Sequence, residues 1–222
     1  MTRALSAAFL STLVSASIAA AQPPDPAEAG STRLLVGPTA RALEQGQFYV
    51  DFSAFVGGPF AQVGVTDRLS IGAGTPVLIP GVRPGDVMVI TPKAQVFDGP
   101  RTDVSVGLLQ FVGSKVTPAG IAYGVVTRGS PDAAITGGAG LTYAGGHHGD
   151  GARTPVVMLG GEKRVTPRLT LLTENYAASG FGFLCGGVRL TRGRGSFDLG
   201  VASFLGAGYS IIVPIFRVAF TP

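Results

Sequence analysis

The chain has 222 residues, a formal net charge of +4, 45% hydrophobic residues, only 14% charged ones, 34 glycines, no tryptophan and a single cysteine, Cys185. A lone cysteine excludes a disulfide scaffold, so large an apolar share excludes a solvated disordered chain, and beyond the N-terminus no run of about 18 apolar residues offers a spanning helix. The weak positive charge forms no clustered basic face, so no nucleic-acid partner is expected.

The first residues read as an address. Met1-Thr2-Arg3 is short and positive, Ala4 to Ala20 is uncharged and apolar or small, and Ala19-Ala20-Ala21 fits a small-x-small cleavage site. This predicts a secretory signal peptide over 1–21, cut after Ala21, with a retained N-terminal membrane anchor as the alternative. No cysteine lies near the cut, so no lipid anchor is expected. Residues 22–45 read as a flexible N-terminal segment. Gln22 to Ser31 is rich in Pro, Ala and acidic residues, and Thr39 to Gln45 has the composition of one or two helical turns after Pro38, closed by Gly46. That stretch suits a surface turn or a segment that tucks against or into the following domain.

From Gly46 the hydrophobic period becomes two. In Phe48-Tyr-Val-Asp-Phe-Ser-Ala-Phe-Val56 one face holds Phe48, Val50, Phe52, Ala54 and Val56, and the other Tyr49, Asp51, Ser53 and Phe55. Such alternation predicts a strand with one apolar face. The last segment alternates Ile212, Pro214, Phe216, Val218 and Phe220 with Val213, Ile215, Arg217 and Ala219. Twelve strands are predicted, at about 46–56, 60–66, 69–78, 87–97, 102–112, 119–127, 132–144, 154–164, 168–177, 181–190, 196–204 and 208–220, with bulges expected in 102–112 and 168–177, which alternate poorly. So much strand suits a closed barrel better than an ordinary globular domain.

The even-numbered connections are tight and hold turn residues, as in Thr66-Asp67-Arg68, Asp98-Gly99-Pro100-Arg101 and Thr166-Pro167. The odd-numbered ones vary more: Leu78 to Asp86 and Gly145 to Arg153 are long, whereas those at Gly57-Gly58-Pro59 and Ser179-Gly180 are short. Short turns at one end, longer loops at the other and an even strand number are the pattern of outer-membrane barrels.

The polar face is mostly Gly, Ser and Thr with sparse charges of both signs, too few for a wet outer surface but suited to a crowded lumen. The apolar face carries no clear charge, as hydrocarbon demands, and a closed barrel leaves no open strand edge in lipid. The predicted fold is all-β, a closed antiparallel up-and-down transmembrane β-barrel of about 12 strands over 46–222. The alternative is a soluble secreted β-barrel binding an apolar ligand. Eight polar side chains are expected to line the lumen as pore-lining residues: Asp51, Gln62, Lys93, Gln95, Glu162, Glu174, Asp198 and Arg217. A twelve-stranded barrel is intermediate between small filled barrels and wide porins, so a narrow pore or a structural barrel follows, with charge preference set by these side chains. For Glu174, in the polar step Glu174-Asn175-Tyr176, two readings stand: pairing with Arg189 or Arg217, or a selectivity role in a pore.

Gly64-Val-Thr-Asp-Arg-Leu-Ser-Ile-Gly72 resembles a strand–turn–strand hairpin common in small Gram-negative outer-membrane β-barrel proteins, and Val165-Thr-Pro-Arg-Leu-Thr-Leu171 repeats it. Thr32-Arg33-Leu34, Gly37-Pro-Thr-Ala-Arg41 and Gly46-x-Phe-Tyr49 also resemble the start of such barrels. The resemblance, loose and running from about Thr32 to the end, implies an outer-membrane location, with outer-membrane lipid and the barrel-assembly machinery as partners and small solutes or ions as permeants. It implies no activity. Such proteins often end on an aromatic residue, whereas here Phe220 is third from the end.

His147-His148-Gly149-Asp150 is the one histidine cluster, and it reads as a polar loop: neighbouring side chains point apart and no third strong ligand is near. A lipid-modifying enzyme would need a positioned nucleophile, and no serine sits in a nucleophile motif. No catalytic residue, metal or cofactor is expected, and Cys185, in an apolar strand, reads as inert.

Overall fold

The computed structural model describes residues 30–53, 57–77, 83, 85–114, 116–145, 153–206 and 209–221. The predicted signal peptide, the first part of the N-terminal segment, and His147 and His148 lie outside the described residues.

Twelve strands form: β1 (Phe48–Ser53), β2 (Gly58–Thr66), β3 (Leu69–Gly74), β4 (Val87–Gly99), β5 (Thr102–Gly113), β6 (Ala119–Ser130), β7 (Ala133–Ala144), β8 (Thr154–Thr166), β9 (Leu169–Ala178), β10 (Phe181–Arg192), β11 (Gly195–Gly206) and β12 (Tyr209–Phe220). Each pairs antiparallel with its chain neighbours, and β1 pairs with β12 to close the barrel. The expected closed, twelve-stranded, antiparallel barrel is the fold observed. The described part of β1 stops at Ser53, short of the predicted Val56, and 54–56 lie outside the described residues.

Register explains how the alternation sorts the side chains, because residues directly opposite across strands share a face. Arg189 faces Asp198, Asp198 faces Arg217, and Arg217 faces Ser53. All four are buried. One residue along, Leu190 faces Phe197 and Phe197 faces Val218, and these are exposed. At this level the inner face carries Ser and the charges, and the outer face carries Leu, Phe and Val.

Three register shifts interrupt the ladder, between Gly64 and Thr66, between Gln95 and Phe97, and between Arg164 and Thr166. Each inserts a valine, at Val65, Val96 and Val165, close to a tight turn. The bulges expected in 102–112 and 168–177 are instead on the partner strands β4 and β8: the poor alternation marks the flank of a bulge, whose extra residue belongs to the neighbour. The two hairpins that look alike in sequence also share a geometry. The Thr66 hydroxyl oxygen accepts the N–H groups of Arg68 (3.3 Å) and Leu69 (3.0 Å). That of Thr166 accepts those of Arg168 (3.3 Å) and Leu169 (3.0 Å). Each pairs a valine bulge with a threonine-capped turn.

The expected helical turns over Thr39 to Gln45 do not form: no helix is found among the described residues. Pro38 and the buried anchors described next hold the segment extended, and local propensity yields to contacts made across the barrel.

Candidate functional site

Residues 30–43 lie inside the barrel. Leu34 donates its N–H to the Gly37 carbonyl (2.9 Å), Thr39 donates to Thr32 (2.9 Å), and Arg33 bridges Pro38. The result is a small hairpin whose tip is Leu34-Leu35-Val36-Gly37. Both of its ends lie at the tight-turn end of the barrel. Gln45 donates its N–H to Asp67 Oδ1 (2.9 Å) in the β2–β3 turn, and Gly30 accepts from Arg189 Nη1 (3.0 Å), near the end of β10. The chain can thus enter and leave by one mouth, with no threading through the barrel.

The tip is apolar and its seat matches. Leu34 and Leu35 are fully buried against Val125, Met158, Leu172, Phe183, Cys185, Ala202 and Ile215. At about 1.5–3 kcal/mol for each fully buried leucine side chain, the two give the hairpin a substantial apolar anchor. Glycines in the wall make the room. A Cβ built on Gly160 would overlap a Leu34 methyl, and one on Gly200 would touch Leu35 at 3.4 Å.

The polar groups of the hairpin meet the charges of the wall. Glu174 is fully buried, and its carboxylate accepts the N–H groups of Val36 (2.9 Å) and Gly37 (2.6 Å) and the hydroxyl of Tyr176. Lys93 Nζ donates to the carbonyls of Arg41 (2.6 Å), Thr39 (3.1 Å) and Thr32 (3.4 Å). Arg33 pairs with Asp51 (3.0 Å), and Arg41 pairs with Glu162. Ala40 donates to Thr127 Oγ1 (2.8 Å) and accepts from Ser105 Oγ (2.6 Å). Asp198 sits between two arginines, 2.9 Å from Arg189 Nε and 2.7 Å from Arg217 Nη2, and Arg189 also donates to the Leu34 carbonyl (3.0 Å). Buried charges are tolerated only when paired and hydrogen-bonded, and here the hairpin supplies much of the pairing.

All eight residues expected to line the lumen belong to the inner face. Asp51, Lys93, Glu162 and Glu174 bind the hairpin directly. Asp198 and Arg217 reach it through their cluster with Arg189. Gln62 sits between the Tyr49 hydroxyl (2.7 Å) and Ser70 (3.0 Å), and Gln95 donates to Asp103 (3.2 Å). The suggested pairing of Glu174 with Arg189 or Arg217 is not made: both arginines hold Asp198, and Glu174 holds backbone amides. Sequence reasoning missed Arg33 and Arg41. The available signal was the apolar run Leu34-Leu35-Val36, set between two arginines in a segment otherwise read as flexible. Among the described residues no group of three His, Cys, Asp or Glu side chains is placed to hold a metal.

No protein-family model matches the chain, and no curated protein matches it. A solved porin has a similar barrel. That structure, the NanC porin in a rhombohedral crystal form, is 8% identical, with a TM-score of 0.52 over 79% of this chain and 98% of that one. At that identity the likeness is one of fold, a porin-like closed barrel.

Proposed function

We propose that the protein is a bacterial outer-membrane barrel whose narrow lumen is closed by its own N-terminal hairpin and passes small cations when the hairpin leaves. The observation that carries this reading is the grip of Glu174 on the Val36 and Gly37 amides in mid-lumen. The outer face supports the membrane location. Val201 and Val218 are more than half exposed, and Leu199 and Leu159 about half, on a belt without charge that suits hydrocarbon.

The charge preference follows from what the hairpin neutralises. Its departure leaves Asp51, Glu162 and Glu174 without their hairpin partners, against one freed cation, Lys93. Arg189, Asp198 and Arg217 still hold one another with one net positive charge, so the emptied wall keeps an excess of one negative charge. An acidic lumen favours cations.

The test is single-channel recording in planar bilayers, on barrels first verified by a boiling-dependent gel shift. The full chain is expected to be nearly silent. A variant lacking residues 30–43 is expected to conduct with a reversal potential on the cation side in a salt gradient. Equal conductance and selectivity in the two proteins would refute the reading.

A further inference from the structure

The five tight turns end alike. In each, the residue just before the next strand accepts at its carbonyl an N–H from the strand beyond or its end: Arg68 from Gln95 (2.7 Å), Arg101 from Gly129 (2.9 Å), Asp132 from Arg164 (2.7 Å), Arg168 from Thr191 (2.9 Å) and Arg194 from Thr221 (2.9 Å). This shared bond fixes five equivalent positions round the rim, and four of them are exposed arginines. At the fifth, Asp132 instead holds the Arg164 side chain (3.1 Å). Register adds three more cations beside the turns, on the outer face. Arg128 stands opposite Ile135, Lys163 opposite Leu171, and Arg192 opposite Gly195, whose other neighbour is Phe220. Ile135, Leu171 and Phe220 are exposed on the outside of the barrel. None of these seven cations has an ion-pair partner among the described residues. The acids of this end are turned elsewhere. Asp98 and Asp103 oppose each other on the inner face, where Gln95 donates to Asp103, while Asp67 accepts the Gln45 N–H and Glu44 the Gln47 side chain. At the other rim the described residues include only two cations, Arg83 and Arg153.

We infer that this ring is a headgroup site for anionic glycerophospholipids, of the phosphatidylglycerol class, in the leaflet that surrounds the tight turns. The inference rests on the membrane location proposed above and not on the gated pathway. Three observations favour lipid. The arginines recur at four of the five turns, so they face an encircling layer, whereas a single protein partner would meet a patch on one side. The outward cations border an uncharged apolar belt, so their stems can lie on acyl chains while their heads reach the interface. Six of the seven are arginines, whose fork takes two phosphate oxygens at once. The protein leaves their charge uncompensated, and lipid that carries net negative charge supplies the balance.

The chain has no tryptophan, so Leu190→Trp places one indole on the outer face, opposite Leu169 and two residues from Arg192. Leu205→Trp places one near the other rim of that face. In vesicles of phosphatidylcholine and phosphatidylglycerol, with one or the other brominated along its chains, quenching reports which lipid lies against each indole. At Leu190→Trp the anionic lipid is expected to compete about fivefold better, the factor that one Lys or Arg beside an anionic surface contributes. At Leu205→Trp no preference is expected. Arg168→Gln, Arg192→Gln and Arg194→Gln together are expected to erase the preference in a barrel that still shifts on boiling, because backbone makes the turn bonds. If that triple variant fails to fold, about 1 M salt, which screens charges beyond ~3 Å, is expected to erase the preference with the ring unaltered. Phe197→Trp, opposite Leu190, serves if Leu190→Trp does not fold. Equal quenching by the two lipids at Leu190→Trp would overturn the inference and leave the membrane location standing. A preference as strong at Leu205→Trp, or one that survives loss of the three arginines, would overturn it too. Quenching by neither lipid at either position would sink the membrane location and the inference with it.

Discussion

Replacing Glu174 with alanine withdraws the acceptor for two hairpin amides, at 2.9 and 2.6 Å, deep in the lumen. A hydrogen bond to a charged group contributes about 1.5–3 kcal/mol. The two together are worth about 3–6 kcal/mol, and water entering the vacated space recovers part of that. A net loss of about 3 kcal/mol raises the unseated fraction roughly a hundredfold. The assay is thiol labelling. Cys185, the one cysteine, is buried. With Cys185→Ser as background, Leu35→Cys places the reporter at the hairpin tip, which only an unseated hairpin exposes. Adding Glu174→Ala is expected to speed labelling about a hundredfold, and Glu174→Gln, which keeps one carbonyl acceptor, by clearly less. Equal labelling rates with and without Glu174→Ala would refute the claim that this carboxylate holds the hairpin.

Gly160→Val would drive a methyl into Leu34 and bring its Cβ to 2.7 Å from the Thr173 carbonyl, at about 1–3 kcal/mol for overpacking; faster Leu35→Cys labelling in a barrel that still shifts on boiling is the expected result. Arg217→Met removes one of the two arginines on Asp198, which keeps both hydrogen bonds from Arg189 (2.9 and 3.0 Å), so the cost is that of the lost charge-assisted hydrogen bond from Arg217 Nε (3.0 Å), about 1.5–3 kcal/mol. A lower urea midpoint is expected, and an unchanged midpoint would show that Arg189 alone suffices. Val201→Arg, outward in the middle of β11, should cost about 2–4 kcal/mol in refolding titrations into vesicles if that face meets lipid. No cost would argue for a soluble barrel.

The barrel was legible because its signal is local. Alternation such as Phe48-Val50-Phe52 against Tyr49-Asp51-Ser53 records a strand with two environments, and Thr66-Asp67-Arg68 records its turn. The inner charges could be assigned for the same reason, since parity alone puts Asp198 and Arg217 on one face. A segment tucked into the domain was one of the readings open for Thr39 to Gln45, but the contacts that seat it were not legible. Gly37 meets Glu174 across 137 residues of sequence, and Ala40 meets Thr127 across 87. No periodicity encodes such contacts, and the hairpin has neither the length nor the repeat of a strand. The fate of Glu174 was missed for a related reason: its partners are backbone amides, which carry no letter in the sequence, whereas the arginines that seemed natural partners are taken by Asp198.

The seam between β1 and β12 is bound up with the hairpin. On its inner side Asp51 of β1 lies 3.9 Å from Arg217 of β12, and Arg33 grips the same carboxylate at 3.0 Å. Ile215, also from β12, forms part of the seat for the hairpin tip. Such coupling is reciprocal: whatever free energy the hairpin lends the seam, the seam returns to the hairpin. The segment behaves as a keystone. It is made before any wall strand, yet its seat is complete only with the last strand in place, so closing the ring and completing the seat draw on the same contacts.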